Sequence, residues 1–311
     1  MEIRDVDELA VLLDSCISRV KWRLRPSAKR RLETDILALC SGLRAVVMVD
    51  YGGRMPVLQD HLCGLICLMR KESSMLLHLR IMVIEDMIYI VHVAGLTELS
   101  NLSLQQQLHF VDLEVDPPQL LQTSLMYSQS EFRRVQQLFS SIFSSDAVVD
   151  PSHNATPPSI MPKSELIEYK AVNVTCVADS AASQQFEIFD LSNCLRDTQI
   201  TIPSLNGWLL GYPVVYLFRK ENAANAVYNL STKYLHIYKI IISRQRMPNR
   251  KDSEEELMSF SVPYALSLAG DKEFWAEAFL ARLQAKLEAC KQVWSRIRLE
   301  VTECHPQAIV L

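Results

Sequence analysis

The chain has 311 residues and a mass of 35.5 kDa, with 49% apolar and 22% charged residues. These proportions are those of a globular protein, and they exclude a collagen-like, a coiled-coil and a wholly disordered chain. The formal net charge is −4, from 32 basic and 36 acidic side chains. Because no overall positive field attracts nucleic acid or an anionic membrane, we predict neither as a partner.

Acidic side chains interrupt the first 25 residues, so no secretory signal is predicted there. The longest uncharged segment, 198–218, contains two prolines, and its apolar pieces are too short to cross a bilayer about 30 Å thick. The eight cysteines are dispersed along the chain, which is typical of reduced thiols inside the cell. We therefore expect an intracellular protein, in the cytoplasm or the nucleus.

Apolar residues spaced three and four apart predict two helices at the start of the chain. Pro26 is predicted to end the first helix, and Ser27 is predicted to cap the second. A continuous apolar run at 45–49 then predicts a strand that is buried on both faces. Pro56 is predicted to begin a third helix, because proline is favoured in the first helical turn.

The middle of the chain is predicted to alternate between strands and helices. A hairpin is expected with strands at about 76–84 and 87–94, followed by a strand near 108–115 and a helix over 131–143. The second half is predicted to contain mostly strands, at about 166–178, 185–190, 212–219, 233–243 and 257–262.

A long final helix is predicted from Asp271 to about residue 298. Its apolar residues repeat at spacings of three and four, as in a short coiled-coil seam: Phe279, Leu283, Leu287, Cys290, Trp294 and Ile297. Such a stripe either meets a second helix or packs on the sheet of its own chain. Because three heptads are barely enough for a stable coil, we expect it to be buried against the sheet.

These elements predict an α+β or mixed α/β fold, in which a mixed sheet is flanked by helices, with two N-terminal helices and a long C-terminal helix. The order helix, strand, helix suggests a βαβ unit at the start. We expect a single domain over residues 1–311 with a proline-rich loop at 146–164. The alternative is two subdomains, at 1–145 and 165–311.

The best candidate ligand site is the run Asp50, Tyr51, Gly52 and Gly53, which follows the predicted strand and comes before a helix start. Open α/β sheets place ligands at such strand ends, and glycine lets the backbone approach a phosphate. The run matches neither a P-loop nor a dinucleotide-binding fingerprint. Its alternative interpretation is a tight turn that requires a positive φ.

A second distinctive segment, 205–216, contains two glycines, a proline and three large aromatic residues. It is predicted as a turn that leads into a buried strand. Tyr212 in this segment is a candidate ligand-binding residue. Its convergence with Asp50 and a second carboxylate in one pocket would favour an enzyme.

Two further clusters are interpreted as structural. His61, Cys63 and Cys67 have helical spacing, but no second pair of suitable spacing completes a zinc site, so we predict core thiols and no metal. Seven basic residues lie between positions 19 and 31 with no acidic residue among them. They are predicted to form the polar face of two helices rather than a nucleic-acid site.

Three motifs in the second half carry a resemblance to a known family: GWLLGYPVVY at 207–216, YLHIYK at 234–239 and SFSVP at 259–263. With a closing helix that contains tryptophan, they resemble an uncharacterised animal protein family that carries a domain of unknown function. The resemblance extends over most of the chain. It implies no activity, cofactor or partner, and it transfers no catalytic residue to this sequence.

The sequence contains no known catalytic motif, which favours a non-enzymatic interaction or scaffold protein that binds another protein. The alternative function is an enzyme that binds a nucleotide or another small molecule at Asp50–Gly53. The sequence identifies neither a cofactor nor an oligomeric state.

Overall fold

This computed structural model describes residues 3–103, 108–121, 127–144, 173–177, 186–245 and 254–309. The helices, in chain order, are α1 (Ile3–Arg19), α2 (Pro26–Cys40), α3 (Val57–Glu72), α4 (Val93–Ser103), α5 (Tyr127–Ser144), α6 (Ser192–Leu195), α7 (Ile202–Leu209), α8 (Ala223–Ser231) and α9 (Phe274–Ala289). The strands are β1 (Val46–Met48), β2 (Leu79–Ile84), β3 (Met87–His92), β4 (His109–Asp112), β5 (Gln119–Leu120), β6 (Asn173–Val177), β7 (Phe186–Asp190), β8 (Val214–Leu217), β9 (Leu235–Arg244), β10 (Glu254–Pro263) and β11 (Trp294–Cys304).

The largest sheet has five strands in the order β1-β3-β2-β7-β6. Its hairpin, β2 and β3, confirms the predicted pair of strands, and Glu85 makes the tight turn with a φ of +56°. Strands β2 and β7 are parallel, whereas the other pairs are antiparallel. The predicted βαβ start is therefore wrong, because β1 pairs antiparallel with β3 and β3 separates it from β2.

Both faces of this sheet are buried, which the continuous apolar run at 45–49 predicted for β1. Alternate residues belong to opposite core clusters, since Val47 and Ile90 face one and Val46 and Val91 face the other. The first cluster includes the apolar faces of α1, α2 and α3, and the second includes those of α5 and α7. The mixed sheet flanked by helices is therefore confirmed, as is the α+β class.

The two N-terminal helices are present, but their boundary differs from the prediction. Helix α1 ends at Arg19, and Lys21 follows in a left-handed conformation with a φ of +55°. Pro26 does not end α1 but is the first residue of α2. An N–H group at that position has no intrahelical acceptor, so proline costs the helix no hydrogen bond there. Arg25, rather than Ser27, occupies the N-cap position.

The second sheet is antiparallel, in the order β10-β9-β11, and α9 covers it. The predicted long final helix is wrong in its extent, because α9 ends at Ala289 and Trp294 and Ile297 lie in β11. Ten residues of β11 pair with β9, and this backbone pairing favours a strand over a longer helix. The burial prediction is nevertheless confirmed, since Phe279 packs edge-on against Phe260 of β10 with ring centroids 5.7 Å apart.

The third sheet is small, with the order β5-β4-β8. The predicted turn at the start of 205–216 is instead the helix α7, after which Gly211, with a φ of +78°, leads the chain into β8. Helices α4 and α8 are further elements that the sequence did not predict. The proline-rich segment 146–164 lies outside the described residues, as does the predicted strand at 166–178 except for residues 173–177, which form β6. The domain boundaries stay a prediction.

Candidate functional site

The candidate turn follows β1, where Asp50 is exposed and Tyr51 is half-buried. Gly52 has a φ of +82°, which is a left-handed conformation, and its carbonyl oxygen accepts a hydrogen bond from Trp22 Nε1 at 2.8 Å. Trp22 is buried and stacks on His61 of α3, with ring centroids 5.5 Å apart. The loop between α1 and α2 therefore fixes the turn against α3.

We expect Gly52→Ala to destabilise the protein more than Gly211→Ala. Both glycines have a positive φ, but a Cβ at position 52 would lie 2.8 Å from Trp22 Cζ2, whereas one at position 211 has no atom within 4 Å. Backbone strain alone should lower the free energy of unfolding of Gly211→Ala by about 1 kcal/mol, and Gly52→Ala should lose at least about 2 kcal/mol. Urea denaturation measures both, and equal losses would contradict the close packing of the turn.

Three residues of the turn line an open cleft of about 550 Å³ at the start of α2. We call it the α2 cleft, and its lining residues are Arg23, Arg25, Ser27, Ala28, Arg31, Tyr51, Gly52 and Gly53. Three arginines thus surround a glycine-containing turn. The lining includes no carboxylate, histidine or cysteine from the described part of the chain.

The start of α2 contributes backbone donors to this cleft. The first intrahelical hydrogen bond runs from the Lys29 N–H to the Arg25 carbonyl oxygen, at 3.0 Å. The N–H groups of Ser27 and Ala28 therefore have no intrahelical acceptor. No side chain caps the helix, and no acidic residue stands in its first turn. The positive end of the helix dipole is consequently uncompensated where these two residues line the cleft.

The arginines of the cleft differ in their partners. Arg23 and Arg25 are exposed and form no ion pair within the residues that the structure describes. Arg31 is half-buried and donates from Nε to Asp35 Oδ2 at 3.2 Å and from Nη2 to the Leu257 carbonyl oxygen at 3.3 Å. One guanidinium is thus held in place, while two are free to close on a ligand.

Asp35 lies fully buried in α2 and joins the cleft to the interior. Its Oδ2 accepts a hydrogen bond from the Tyr51 hydroxyl at 2.8 Å as well as from Arg31. Its Oδ1 is 3.9 Å from Nη1 of the buried Arg44, which donates to the Leu257 carbonyl oxygen at 3.1 Å. The Asp35 carboxylate therefore interacts with two guanidinium groups and one phenol.

Burial is the largest cause of the pKa shifts in this group. Burial raises the pKa of the Asp35 carboxyl group, against the opposing effect of Arg31 and Arg44. Burial lowers the pKa of Arg44, which Asp35 only partly offsets. Burial also raises the pKa of Tyr51, and the neighbouring Asp35 raises it further. Burial lowers the pKa of Arg31, but Asp35, Tyr51 and Glu256 together raise it above its usual value.

The structure brings together only part of the predicted site. Tyr51, Gly52 and Gly53 line the α2 cleft, whereas Asp50 is exposed and lines neither this cleft nor the pocket that contains Tyr212. Tyr212 lines a separate pocket behind Arg44. The assignment of these five residues to a ligand site stays a prediction.

The sequence predicts Arg23, Arg25 and Arg31 only as part of a polar helix face, and it does not show that they line one cleft. It also missed Asp35 and Arg44. A signal for Asp35 was present, because Thr34 and Asp35 interrupt the apolar side of α2 between Leu32 and Ile36. Buried polar residues on an apolar face require partners, and here the partners are the arginines.

Comparison with known families gives a match over most of the chain. A family model described as a domain of unknown function, DUF4504, matches residues 14–311 of the chain. The chain belongs to this family. The resemblance to a family with a domain of unknown function is thus confirmed, and DUF4504 brings no activity or ligand with it. Comparison with curated proteins and with solved structures gave no match.

The cysteines of α3 lie in or beside the core of this DUF4504 chain. Cys63 is buried and Cys67 is half-buried one helical turn later. Among the described residues, no group of three His, Cys, Asp or Glu side chains is placed to hold a metal ion. No helix in the described part of the chain combines the length and apolar character that crossing a membrane requires.

We expect Cys40 and Cys63 to resist alkylation in the folded protein. Burial raises the pKa of each thiol to about 12, so at pH 8.5 the reactive thiolate is about a thousandfold rarer than for an ordinary cysteine. Mass spectrometry after a short iodoacetamide pulse should find both unlabelled, with the half-buried Cys304 labelled as a control and all three labelled in urea. Labelling of Cys63 at the rate of Cys304 would contradict this burial.

Proposed function

We propose that the protein is a non-catalytic, intracellular interaction protein whose α2 cleft binds a phosphorylated side chain of a partner protein. The observation that carries this proposal is the convergence of three arginines on the uncapped start of α2. A phosphate monoester has a charge of about −1.5 to −2 and three acceptor oxygens. Guanidinium groups and free helix N–H groups are the donors that proteins use for such a group.

The donors divide into fixed and adjustable sets. Arg31 is held by Asp35 and by a backbone carbonyl, and the N–H groups of Ser27 and Ala28 are fixed by α2. Arg23 and Arg25 are exposed and unpaired within the described chain, so they can fold over a bound phosphate. A preorganised set lowers the entropic cost of binding, and a flexible set excludes water afterwards.

The character of the cleft favours a phosphorylated protein segment over a nucleotide. Its lining offers Tyr51 as the single aromatic ring among the described residues, and the Tyr51 hydroxyl is engaged by Asp35. A nucleotide base requires an apolar or aromatic wall, which this lining does not provide. The phosphate alone is recognised here, and contacts outside the cleft supply the remaining affinity.

The same lining supports binding rather than catalysis. Phosphoryl transfer or hydrolysis requires a base, a nucleophile or a metal ligand at the phosphate. Asp50, the carboxylate nearest along the chain, is exposed outside the cleft, and Asp35 is occupied by Arg31 and Tyr51. We therefore favour the interaction protein over the enzyme that the turn otherwise suggests.

The proposal is tested with a degenerate phosphoserine peptide mixture and its unphosphorylated counterpart, both fluorescently labelled and measured by anisotropy. We expect binding of the phosphorylated mixture alone. Arg25→Gln should weaken it about tenfold, since a charged hydrogen bond to phosphate is lost. Arg30→Gln is the matched control, because Arg30 is exposed on the same helix but does not line the cleft.

Three outcomes would overturn the proposal. Equal binding of the two peptide mixtures would remove the role of phosphate. Salt-sensitive binding of generic duplex DNA or RNA that Arg25→Gln abolishes would replace the protein partner by nucleic acid. Release of inorganic phosphate from the peptides by the wild type, and not by Arg25→Gln, would favour the enzyme.

A further inference from the structure

The antiparallel sheet of β10, β9 and β11 has two edges, and they differ. At the β10 edge, Arg31 Nη2 and Arg44 Nη1 both donate to the Leu257 carbonyl oxygen, at 3.3 Å and 3.1 Å. At the β11 edge, within the described part of the chain, residues 295–304 form no backbone–backbone hydrogen bond outside the ladder with β9. An open edge of this length is a template on which another strand can pair.

Strand β11 has one apolar face and one charged face, because side chains alternate along a strand. Ile297, Leu299 and Val301 lie on the face that packs against the core, but Leu299 and Val301 are only half-buried there. Arg298 and Glu300 lie on the opposite face, with side chains that are 31% and 40% exposed. The open edge therefore leaves both apolar and charged surface that a further strand would cover.

The charges on this face alternate in sign. Arg298 Nη2 pairs with Glu254 Oε2 of β10 at 2.6 Å, and Arg298 Nη1 pairs with Glu300 two residues along β11. Charged residues on an edge strand oppose pairing with strands of unrelated sequence. They favour a strand whose charges fall opposite to them with the other sign.

The sequence of β11 is itself such a strand. In an antiparallel pair of two copies about a two-fold axis perpendicular to the sheet, three registers align most of the strand, centred on Arg298, Leu299 or Glu300. When Arg298 or Glu300 lies on the axis, it faces the same charge in the second copy. When Leu299 lies on the axis, Arg298 faces the second copy's Glu300, and Ile297 faces its Val301. Since opposed like charges destabilise a sheet, the charges select the register centred on Leu299.

We propose that the protein forms a homodimer in which β11 pairs antiparallel with β11 of a second copy, with Leu299 on the two-fold axis. The two three-stranded sheets then join into one continuous sheet. Arg298 and Glu300 of both copies form a group of four alternating charges on one face, and the half-buried Leu299 and Val301 are covered on the other. Strand β11 contributes no residue to the α2 cleft, so this proposal does not depend on phosphate binding.

Charge reversal at the edge tests the interface, with sedimentation equilibrium of the full chain as the measurement. We expect the wild type to be dimeric at about 100 µM and to dissociate on dilution. Glu300→Arg and Arg298→Glu should each raise the dimer dissociation constant at least about tenfold, because each opposes like charges twice across the axis. Glu303→Arg is the matched control, since Glu303 is exposed on the same strand and faces Ser295 in this register.

Mixing the two reversal variants separates loss of pairing from loss of folding. Arg298→Glu makes this part of β11 acidic, and Glu300→Arg makes it basic. In a mixed dimer, every glutamate at positions 298 and 300 faces an arginine. An equimolar mixture should therefore associate about as tightly as the wild type, although each variant alone does not.

Disulfide formation tests the register. Residues directly opposite in an antiparallel pair have Cα atoms about 4.5–5.5 Å apart, which is within the range of a disulfide. Leu299→Cys should therefore form a covalent dimer on a non-reducing gel after mild oxidation. Val301→Cys is the control, because its two copies would lie at least about 13 Å apart and cannot be bridged.

Three results would overturn the proposal. A wild type that remains monomeric at about 100 µM would exclude the dimer. A mixture of the two reversal variants, both folded by circular dichroism, that associates no better than either alone would place the contact elsewhere. Covalent dimers that form equally with Leu299→Cys and Val301→Cys would contradict the register centred on Leu299.

Discussion

Trp294→Ala is expected to lower the free energy of unfolding by about 3–5 kcal/mol. Trp294 has no exposed surface, and its indole Nε1 donates a hydrogen bond to Ser41 Oγ at 3.0 Å. It begins β11 opposite Arg244 of β9, so it joins the antiparallel sheet to the end of α2. Its removal leaves a large cavity and takes away the indole donor to Ser41 Oγ. The expected loss is a large fraction of a typical free energy of unfolding of about 5–15 kcal/mol.

Urea denaturation of Trp294→Ala measures the loss, and Phe274→Ala is the control. Phe274 is also a large aromatic residue near the second sheet, but it is 82% exposed, so its truncation should change the free energy of unfolding by less than about 0.5 kcal/mol. Trp294→Ala should unfold or aggregate rather than change its oligomeric state. A soluble Trp294→Ala monomer with an unchanged melting temperature, from a dimeric wild type, would instead place Trp294 in an interface.

Asp35→Ala is also expected to lower the free energy of unfolding by about 3–5 kcal/mol, but here the reason is electrostatic. It leaves the buried guanidinium of Arg44 without a countercharge and the Tyr51 hydroxyl without its acceptor. Arg31 loses the carboxylate that holds it in the α2 cleft. We therefore expect the Asp35→Ala protein that remains folded to bind phosphoserine peptides more weakly than the wild type does.

A double-mutant cycle with Arg44→Ala separates this pairing from a loss of packing. Because each single change strands the other charge, the double variant should lose less than the sum of the single losses, by at least about 1 kcal/mol. Asp14→Ala is the control for removing an acid, since its pair with Lys29 is half-exposed and contributes little. Additive losses within about 0.5 kcal/mol would show that Asp35 and Arg44 do not act as a pair.

The elements that the sequence predicted are those in which one hydrophobic period dominates. The hairpin of β2 and β3 follows two apolar runs on either side of Glu85 and Asp86, and the structure pairs them in register. The run at 45–49 is continuous because opposite faces of β1 contact different core clusters.

The final helix shows how two periods can coincide. Trp294 and Ile297 continue the three-and-four spacing of α9 by chance, although they belong to β11. Alternation of apolar and charged residues from Ile297 to Val301 is the strand signal, and its length of five residues is short beside the helical stripe. Pairing with β9, which is distant in sequence, decides between the two.

Helix α4 is not predicted because His92 is the single polar residue between the apolar run of β3 and the apolar start of α4. The apolar sequence runs from the strand directly into Val93, and the change of direction is marked only by His92, whose Nδ1 accepts a hydrogen bond from the Gly95 N–H at 3.2 Å. Local propensity carries little information at such a junction, where the end of the strand and the first turn of the helix are both apolar.

The candidate site was predicted only in its local part. The glycine turn is visible as a short run of residues, but its placement beside the arginines depends on Trp22, which is thirty positions away from Gly52 and donates to its carbonyl oxygen. The basic residues between 19 and 31 read as a solvated surface because their order along the chain does not show that Arg23, Arg25 and Arg31 face one cleft. The helix break between Lys21 and Pro26 creates that convergence.

The most direct test of the α2 cleft is a titration of ¹⁵N-labelled protein with O-phosphoserine, followed by amide chemical shifts. We predict saturable shifts at the Ser27, Ala28 and Gly53 N–H groups, none with serine, and their loss in Arg25→Gln. Those three residues line the cleft, and the N–H groups of the two in α2 have no intrahelical acceptor, so we expect a bound phosphate to shift their amide signals. Unchanged shifts at Ser27 and Ala28 at saturating phosphoserine, or equal shifts with serine, would contradict an anion site at the start of α2.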